Sequence, residues 1–169
     1  GEIPICDLFE EALGIPVRVT NDANAAALGE MTYGVARGMK NFIMITLGTG
    51  VGSGIVVDGR VVYGSDGFAG ELGHVVIDHS EAGRQCGCGR KGCLETYCSA
   101  TGVARTAREF LSKSDAPSPL RDIDPEKITS FDVFQAAEKG DKIALEIFEF
   151  TGQLLGRTCA DFATFNTPE

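Results

Sequence analysis

Residues 71–95 read Glu-Leu-Gly-His, eleven further residues, then Cys-Gly-Cys-Gly-Arg-Lys-Gly-Cys-Leu-Glu. His74, Cys86, Cys88 and Cys93 thereby stand at spacings that one metal ion can collect. Zinc takes a set of three Cys and one His tetrahedrally, with bonds of about 2.0–2.3 Å. Gly87, Gly89 and Gly92 lie among the thiols and let the backbone wrap tightly around an ion. Two carboxylates, Glu71 and Glu95, bracket the set. Neither is needed as a ligand, because the other four already close the shell.

The competing reading of these cysteines is a disulfide pair or small buried hydrophobes. The six Cys (6, 86, 88, 93, 98 and 159) are even in number, which suits disulfides. However, Cys86 and Cys88 are too close to pair comfortably, no charged-then-apolar leader opens the sequence, and the chain is too long and apolar to need staples. The spacing favours zinc. Cys6, Cys98 and Cys159 read as ordinary buried thiols.

A chain of 169 residues, 43% hydrophobic and 23% charged, can bury a real core as one large domain or as part of a bigger one. The formal net charge is −9, so the surface repels phosphate backbones and a nucleic-acid role for this segment is disfavoured. No apolar run approaches the ~20 residues that cross a bilayer. Reduced thiols without a leader suggest the cytoplasm. The ends, Gly1 and Asn166-Thr167-Pro168-Glu169, read as those of a segment cut from a longer polypeptide.

Periodicity predicts a helix over Ile5–Leu13 stopped by Gly14, a strand over Ile15–Val19, and an Ala-rich helix from Ala23 to Tyr33 opened by Asn21-Asp22. Strands follow at Asn41–Leu47, Gly52–Asp58 and Arg60–Tyr63, with Asp58-Gly59 as a hairpin turn. Beyond the zinc loop, 74–95, a helix is expected from Leu94 to Leu111. A proline-punctuated surface loop, 113–128, comes next, and then C-terminal helices within 130–165. In the last helix Ile143, Ile147, Phe150, Leu154, Thr158 and Phe162 form one stripe at spacings of three and four, which reads as a core face.

Two further motifs carry chemistry. Leu47-Gly48-Thr49-Gly50-Val51-Gly52-Ser53-Gly54 joins two strands, exposes backbone N–H groups and adds the Thr49 hydroxyl, a suitable cradle for phosphate oxygens. It is neither a Walker loop nor a dinucleotide fingerprint, and tight turns or close strand crossings also produce such glycine runs. Asp22 is the best candidate general base for phosphoryl transfer to an alcohol, with Asn21 able to contact a neighbouring hydroxyl. The plainer alternative is that Asn21 or Asp22 merely caps the helix.

Taken in order, Asn-Asp-Ala-Asn-Ala-Ala-Ala at 21–27, the glycine run at 47–54 and Glu-x-Gly-His with Cys-x-Cys-Gly-x-x-Gly-Cys-x-Glu at 71–95 closely resemble the ROK family of bacterial sugar kinases and repressors, glucokinase-like members especially. The resemblance covers nearly the whole chain. It implies an α/β, actin-like ATPase (ribonuclease H-like) fold, with this chain the central to C-terminal part of a two-lobed sugar kinase. It implies Asp22 as catalytic base and Asn21, Glu71, His74 and Glu95 as sugar ligands. Gly48, Thr49, Gly50 and Gly52 would be a phosphate-binding element for ATP, and zinc on His74, Cys86, Cys88 and Cys93 would be structural. The reaction that the resemblance implies is phosphorylation of a hexose, glucose to glucose 6-phosphate before other hexoses, with ATP and Mg²⁺, in a homodimeric enzyme. The family's first phosphate loop and the glycine pair that lies against adenosine fall outside this chain. Two other functions compete: the sugar-sensing domain of a ROK repressor, marked by a winged helix-turn-helix upstream, and a zinc-binding interaction module, which the acidic charge opposes.

Overall fold

A computed structural model describes residues 3–169, which form six α-helices and one three-stranded sheet. Helix α1 (Ile5–Leu13) ends at Gly14, as its sequence predicts. Helix α2 (Asp22–Tyr33) is capped by Asn21, whose side-chain oxygen accepts the N–H groups of Ala23 at 2.8 Å and Asn24 at 3.2 Å. Between them the expected strand at 15–19 does not form. Ile15 and Val19 are each 59% exposed, and the Val17 N–H goes to Glu10 Oε1 at 2.9 Å rather than to a neighbouring strand. β-branched residues favour extended backbone, but a strand needs a partner ladder, and Pro16 removes one donor from it.

The sheet is an antiparallel meander of β1 (Phe42–Leu47), β2 (Val51–Val57) and β3 (Arg60–Val61), with Met44 opposite Gly54. Asp58 and Gly59 take φ of 50° and 73° in the turn between β2 and β3. Helix α2 lies directly on β2. A Cβ at Gly54 would stand 2.6 Å from the Ala27 Cβ, so only glycine permits this approach. Ala27, Ala36, Phe42 and Val56 form the small core between them.

The helix expected over 94–111 is broken in two. Short α3 (Glu95–Cys98) stops at Ser99, whose extended backbone and side chain restart the chain as the N-cap of α4 (Ala100–Lys113). Segment 113–128 lies on the surface except for Leu120 and Ile128, which are buried in the core that α4 forms with α5 (Ser130–Glu138) and α6 (Lys142–Asn166). Asp141 caps α6, and Ile143, Ile147, Thr158 and Phe162 of its stripe are buried. A third core, of Val51, Leu94, Tyr97, Cys98 and Phe162, joins the sheet to the helices. Cys98 is buried, Cys6 and Cys159 are half-buried, and no disulfide occurs among the described residues. Among the described residues no helix is long and apolar enough to cross a membrane.

Candidate active site and metal centre

Three loops meet where α2 begins, where β1 turns into β2, and where the 71–95 segment returns to the helices. Asn21, Asp22, Thr46, Gly48, Thr49, Gly50, Gly52, Glu71 and Glu95 line one open cleft of about 610 Å³. A slightly larger cavity of about 680 Å³, walled by Ile43, Ile55, Leu72, Ile77 and Phe162, is mainly apolar and contains none of these residues.

Each wall has a local cause. The cap on α2 is Asn21, whose side-chain oxygen is committed to backbone; the adjacent Asp22 is exposed at the cleft, with its Oδ1 accepting the Ala23 N–H at 2.8 Å. The tip Gly48-Thr49-Gly50 is docked on the start of α4: Gly48 O accepts from the Ala100 N–H at 2.8 Å, and Thr49 O from the Thr101 hydroxyl at 3.0 Å. Ser53 holds the third wall, because its hydroxyl donates to Gly70 O and accepts the Leu72 N–H at 3.0 Å, fixing the residues on either side of Glu71. Glu95 reaches the hairpin, where its Oε2 accepts the Val51 N–H at 3.1 Å. A Cβ at Gly50 would fall 2.3 Å from that carboxylate oxygen, so the tip must be glycine for Glu95 to sit there.

Beside the cleft, His74, Cys86, Cys88 and Cys93 each offer one ligand atom, and these four atoms lie within 4.8 Å of one another. His74 Nδ1 is 3.6 Å from Cys86 Sγ, and Cys88 Sγ is 3.7 Å from Cys93 Sγ. Tetrahedral zinc bonds of about 2.0–2.3 Å require edges of roughly 3.6 Å between nitrogen and sulfur and roughly 3.8 Å between sulfurs. The donor set therefore fits a tetrahedral ion. His74 sits on a short 3₁₀ turn, Leu72–His74, with Nδ1 toward the thiols. It does not line the cleft.

The bare thiols ionise unequally. Hydrogen bonds from the backbone and side chain of Arg90 pull Cys88 down to about 6. Burial, and then hydrogen bonding to Cys88 and Cys86, pushes Cys93 up to about 12. Binding of a cation to all three thiolates therefore releases protons.

One buried charge went unread in the sequence. Arg84 is 4% exposed, and its guanidinium donates to Thr96 O at 2.8 Å, Gly102 O at 3.3 Å, Thr106 Oγ1 at 2.9 Å and Glu109 Oε2 at 2.7 Å. It also lies 4.3 Å from the centre of the Tyr97 ring. No local pattern marks a buried arginine, since its partners lie 12 to 25 residues away.

A sequence profile of the ROK family matches residues 1–169. The glucokinase of Halalkalibacterium halodurans is 44% identical over 169 residues, covering 99% of this chain and 51% of its own length. A crystal structure of a ROK family glucokinase from Streptomyces griseus, in complex with glucose and AMPPNP, superposes with a TM-score of 0.84 at 36% identity, covering 98% of this chain and 54% of that one. A ROK family transcriptional regulator, a homolog of the E. coli MLC protein, gives 0.83 at 35% identity, covering 98% and 40%. The chain thus spans about half the length of the relatives it matches, and shares with them the actin-like fold of ROK sugar kinases. Matched along its whole length and related this closely to members of both kinds, the chain belongs to the ROK family.

Proposed function

We propose that this chain is the base-bearing, sugar-binding part of an ATP-dependent hexose kinase that converts glucose to glucose 6-phosphate. The observation that carries the reading is the cleft: one volume of about 610 Å³ is lined by Asp22, Glu71, Glu95 and the Gly48–Gly50 tip together. The 44% identity to a glucokinase supports the choice of sugar. Asp22 accepts the proton of the sugar hydroxyl as that oxygen attacks the γ-phosphorus of ATP. The bond to the bridging oxygen breaks, and ADP leaves with the electron pair, its charge balanced by nucleotide-borne Mg²⁺. Asn21, Glu71 and Glu95, which line the cleft, hold the sugar's other hydroxyls; His74 stands outside the cleft lining and joins them only where the sugar extends to the ring nitrogen turned away from the thiols. Gly48, Thr49, Gly50 and Gly52 receive phosphate oxygens.

Zn²⁺ on His74, Cys86, Cys88 and Cys93 supplies structure, because a closed four-ligand shell leaves no position for a reacting water. A cytoplasmic homodimer belongs to the same reading. The likeness to the transcriptional regulator supports a second one, the sugar-sensing domain of a repressor.

The test is a kinase assay of the full-length protein with Mg·ATP against glucose, fructose, N-acetylmannosamine and N-acetylglucosamine. Glucose gives the highest kcat/KM. Activity confined to N-acetylated sugars rejects glucose and keeps the kinase. No phosphorylation of any sugar, together with DNA binding, selects the repressor.

A further inference from the structure

Arg84 stands two residues before Cys86, outside the ligand set and outside the cleft, yet it is the most heavily bonded buried side chain near either. A buried guanidinium is costly unless its donors are satisfied, and here four side-chain hydrogen bonds and the Tyr97 ring satisfy it. Its acceptors are not scattered. Thr96 O follows Glu95, Gly102 O lies in the first turn of α4, and Thr106 and Glu109 continue along α4. The side chain therefore spans the break at Ser99 and fixes α3, which carries Glu95, against α4.

The backbone of the same residue stitches the other side. The Arg84 N–H donates to the Tyr97 hydroxyl at 3.2 Å, and its carbonyl accepts the Gly92 N–H at 2.8 Å. Gly92 precedes Cys93, and Arg84 leads into Cys86, so both limbs of the cysteine loop meet at this residue. The Tyr97 hydroxyl in turn donates a hydrogen bond to Asp78 Oδ2 at 2.6 Å, which ties in the segment leading from His74.

We propose that Arg84 is a positioning residue for the metal loop: it holds the limbs bearing Cys86 and Cys93 at their spacing, and Glu95 with them, before an ion binds. The proposal rests on the zinc reading above. It requires the network to act on metal affinity first, and on sugar binding only through the loop.

The experiment compares the full-length wild type with Arg84→Lys and Thr106→Val, the second removing one Arg84 contact with little change of shape. Zinc occupancy is measured by competition with a graded chelator series, well below the melting temperature and on samples with native circular dichroism. Outer-shell partners of metal ligands typically contribute about 10–100-fold in affinity. Arg84→Lys is expected to lose zinc at about tenfold lower chelator, Thr106→Val to show a smaller shift in the same direction, and saturating zinc to return sugar affinity to within about twofold of wild type. Thr106→Val carries the test alone if Arg84→Lys does not fold. Zinc retention in the folded variants indistinguishable from wild type, whatever their melting temperatures, would overturn the proposal, because Arg84 would then only pack helices. A wild-type protein that binds no zinc would overturn the metal reading and this proposal together. Phosphorylation of no sugar by a wild type that does bind zinc would overturn the kinase reading alone.

Discussion

The Glu95 carboxylate accepts the Val51 N–H at 3.1 Å, joining the cysteine loop to the glycine hairpin across the cleft. Its other oxygen is 3.8 Å from Cys86 Sγ. A single side chain thus touches the candidate phosphate cradle on one side and the candidate metal centre on the other.

This double role separates two substitutions. Glu95→Gln keeps an acceptor for the Val51 N–H but removes the charge, whereas Glu95→Ala removes both. A hydrogen bond to a charged group is worth about 1.5–3 kcal/mol, or roughly tenfold and upward in a binding constant. Glu95→Ala should raise KM about tenfold for both sugar and ATP. Glu95→Gln should raise it for sugar while leaving ATP near wild type. Equal effects of the two variants on ATP would show that the hairpin does not depend on this contact.

Cys88 is exposed on the glycine-flanked tip of the loop, beyond the limbs that Arg84 ties together, so that tip has few means of holding its shape without an ion. Cys88→Ser should lose zinc and lower the melting temperature, by about 2–4 °C for each kcal/mol lost in a domain of this size. His74→Ala should reduce zinc content and sugar affinity together. Elemental analysis, thermal melts and sugar titration check both variants. Normal sugar binding by a zinc-free preparation would separate the two sites.

Acid should act through Asp78. The Tyr97 hydroxyl, followed by hydrogen bonds from Ser80, holds this carboxyl down to about 2, below its ordinary value of 3.8. A group whose folded pKa is depressed stabilises the protein above its unfolded value and loses that contribution as pH falls through the folded one. The melting-temperature difference between wild type and Asp78→Asn should therefore be full above about pH 4 and shrink toward zero near pH 2. A difference that stays constant over this window would remove Asp78 from the acid response.

Much of the site was legible because its chemistry is written in short, local motifs. The spacing of His74, Cys86, Cys88 and Cys93 pointed to a candidate metal centre, whose four ligand atoms the fold gathers within 4.8 Å, and the helix start at Asn21-Asp22 fell within one residue of the observed one. The glycine run mixed two causes that sequence alone does not separate: Gly50 makes room for Glu95, while Gly54 makes room for Ala27 of α2. The misread segments depend on distant partners. Ile15–Val19 has strand composition but no neighbour to pair with. Ser99 interrupts an otherwise helical pattern because its hydroxyl accepts the Gly102 N–H at 3.0 Å. Arg84 is buried only because α3, α4 and Tyr97 converge on it.

The central claim is that Asp22 is the general base, and the cap geometry makes it testable. Asn21 caps α2 through the N–H groups of Ala23 and Asn24, and Asp22 Oδ1 also accepts the Ala23 N–H at 2.8 Å; Asp22→Asn keeps an amide oxygen for that contact, so it removes the base while leaving the cap in place. Loss of a general base typically costs about 10²–10⁴-fold. The decisive measurement is kcat of the full-length Asp22→Asn protein with glucose and Mg·ATP, alongside glucose affinity by titration. The account predicts a fall of at least about a hundredfold in kcat with glucose affinity within a few-fold of wild type. Wild-type turnover in the Asn variant would contradict it.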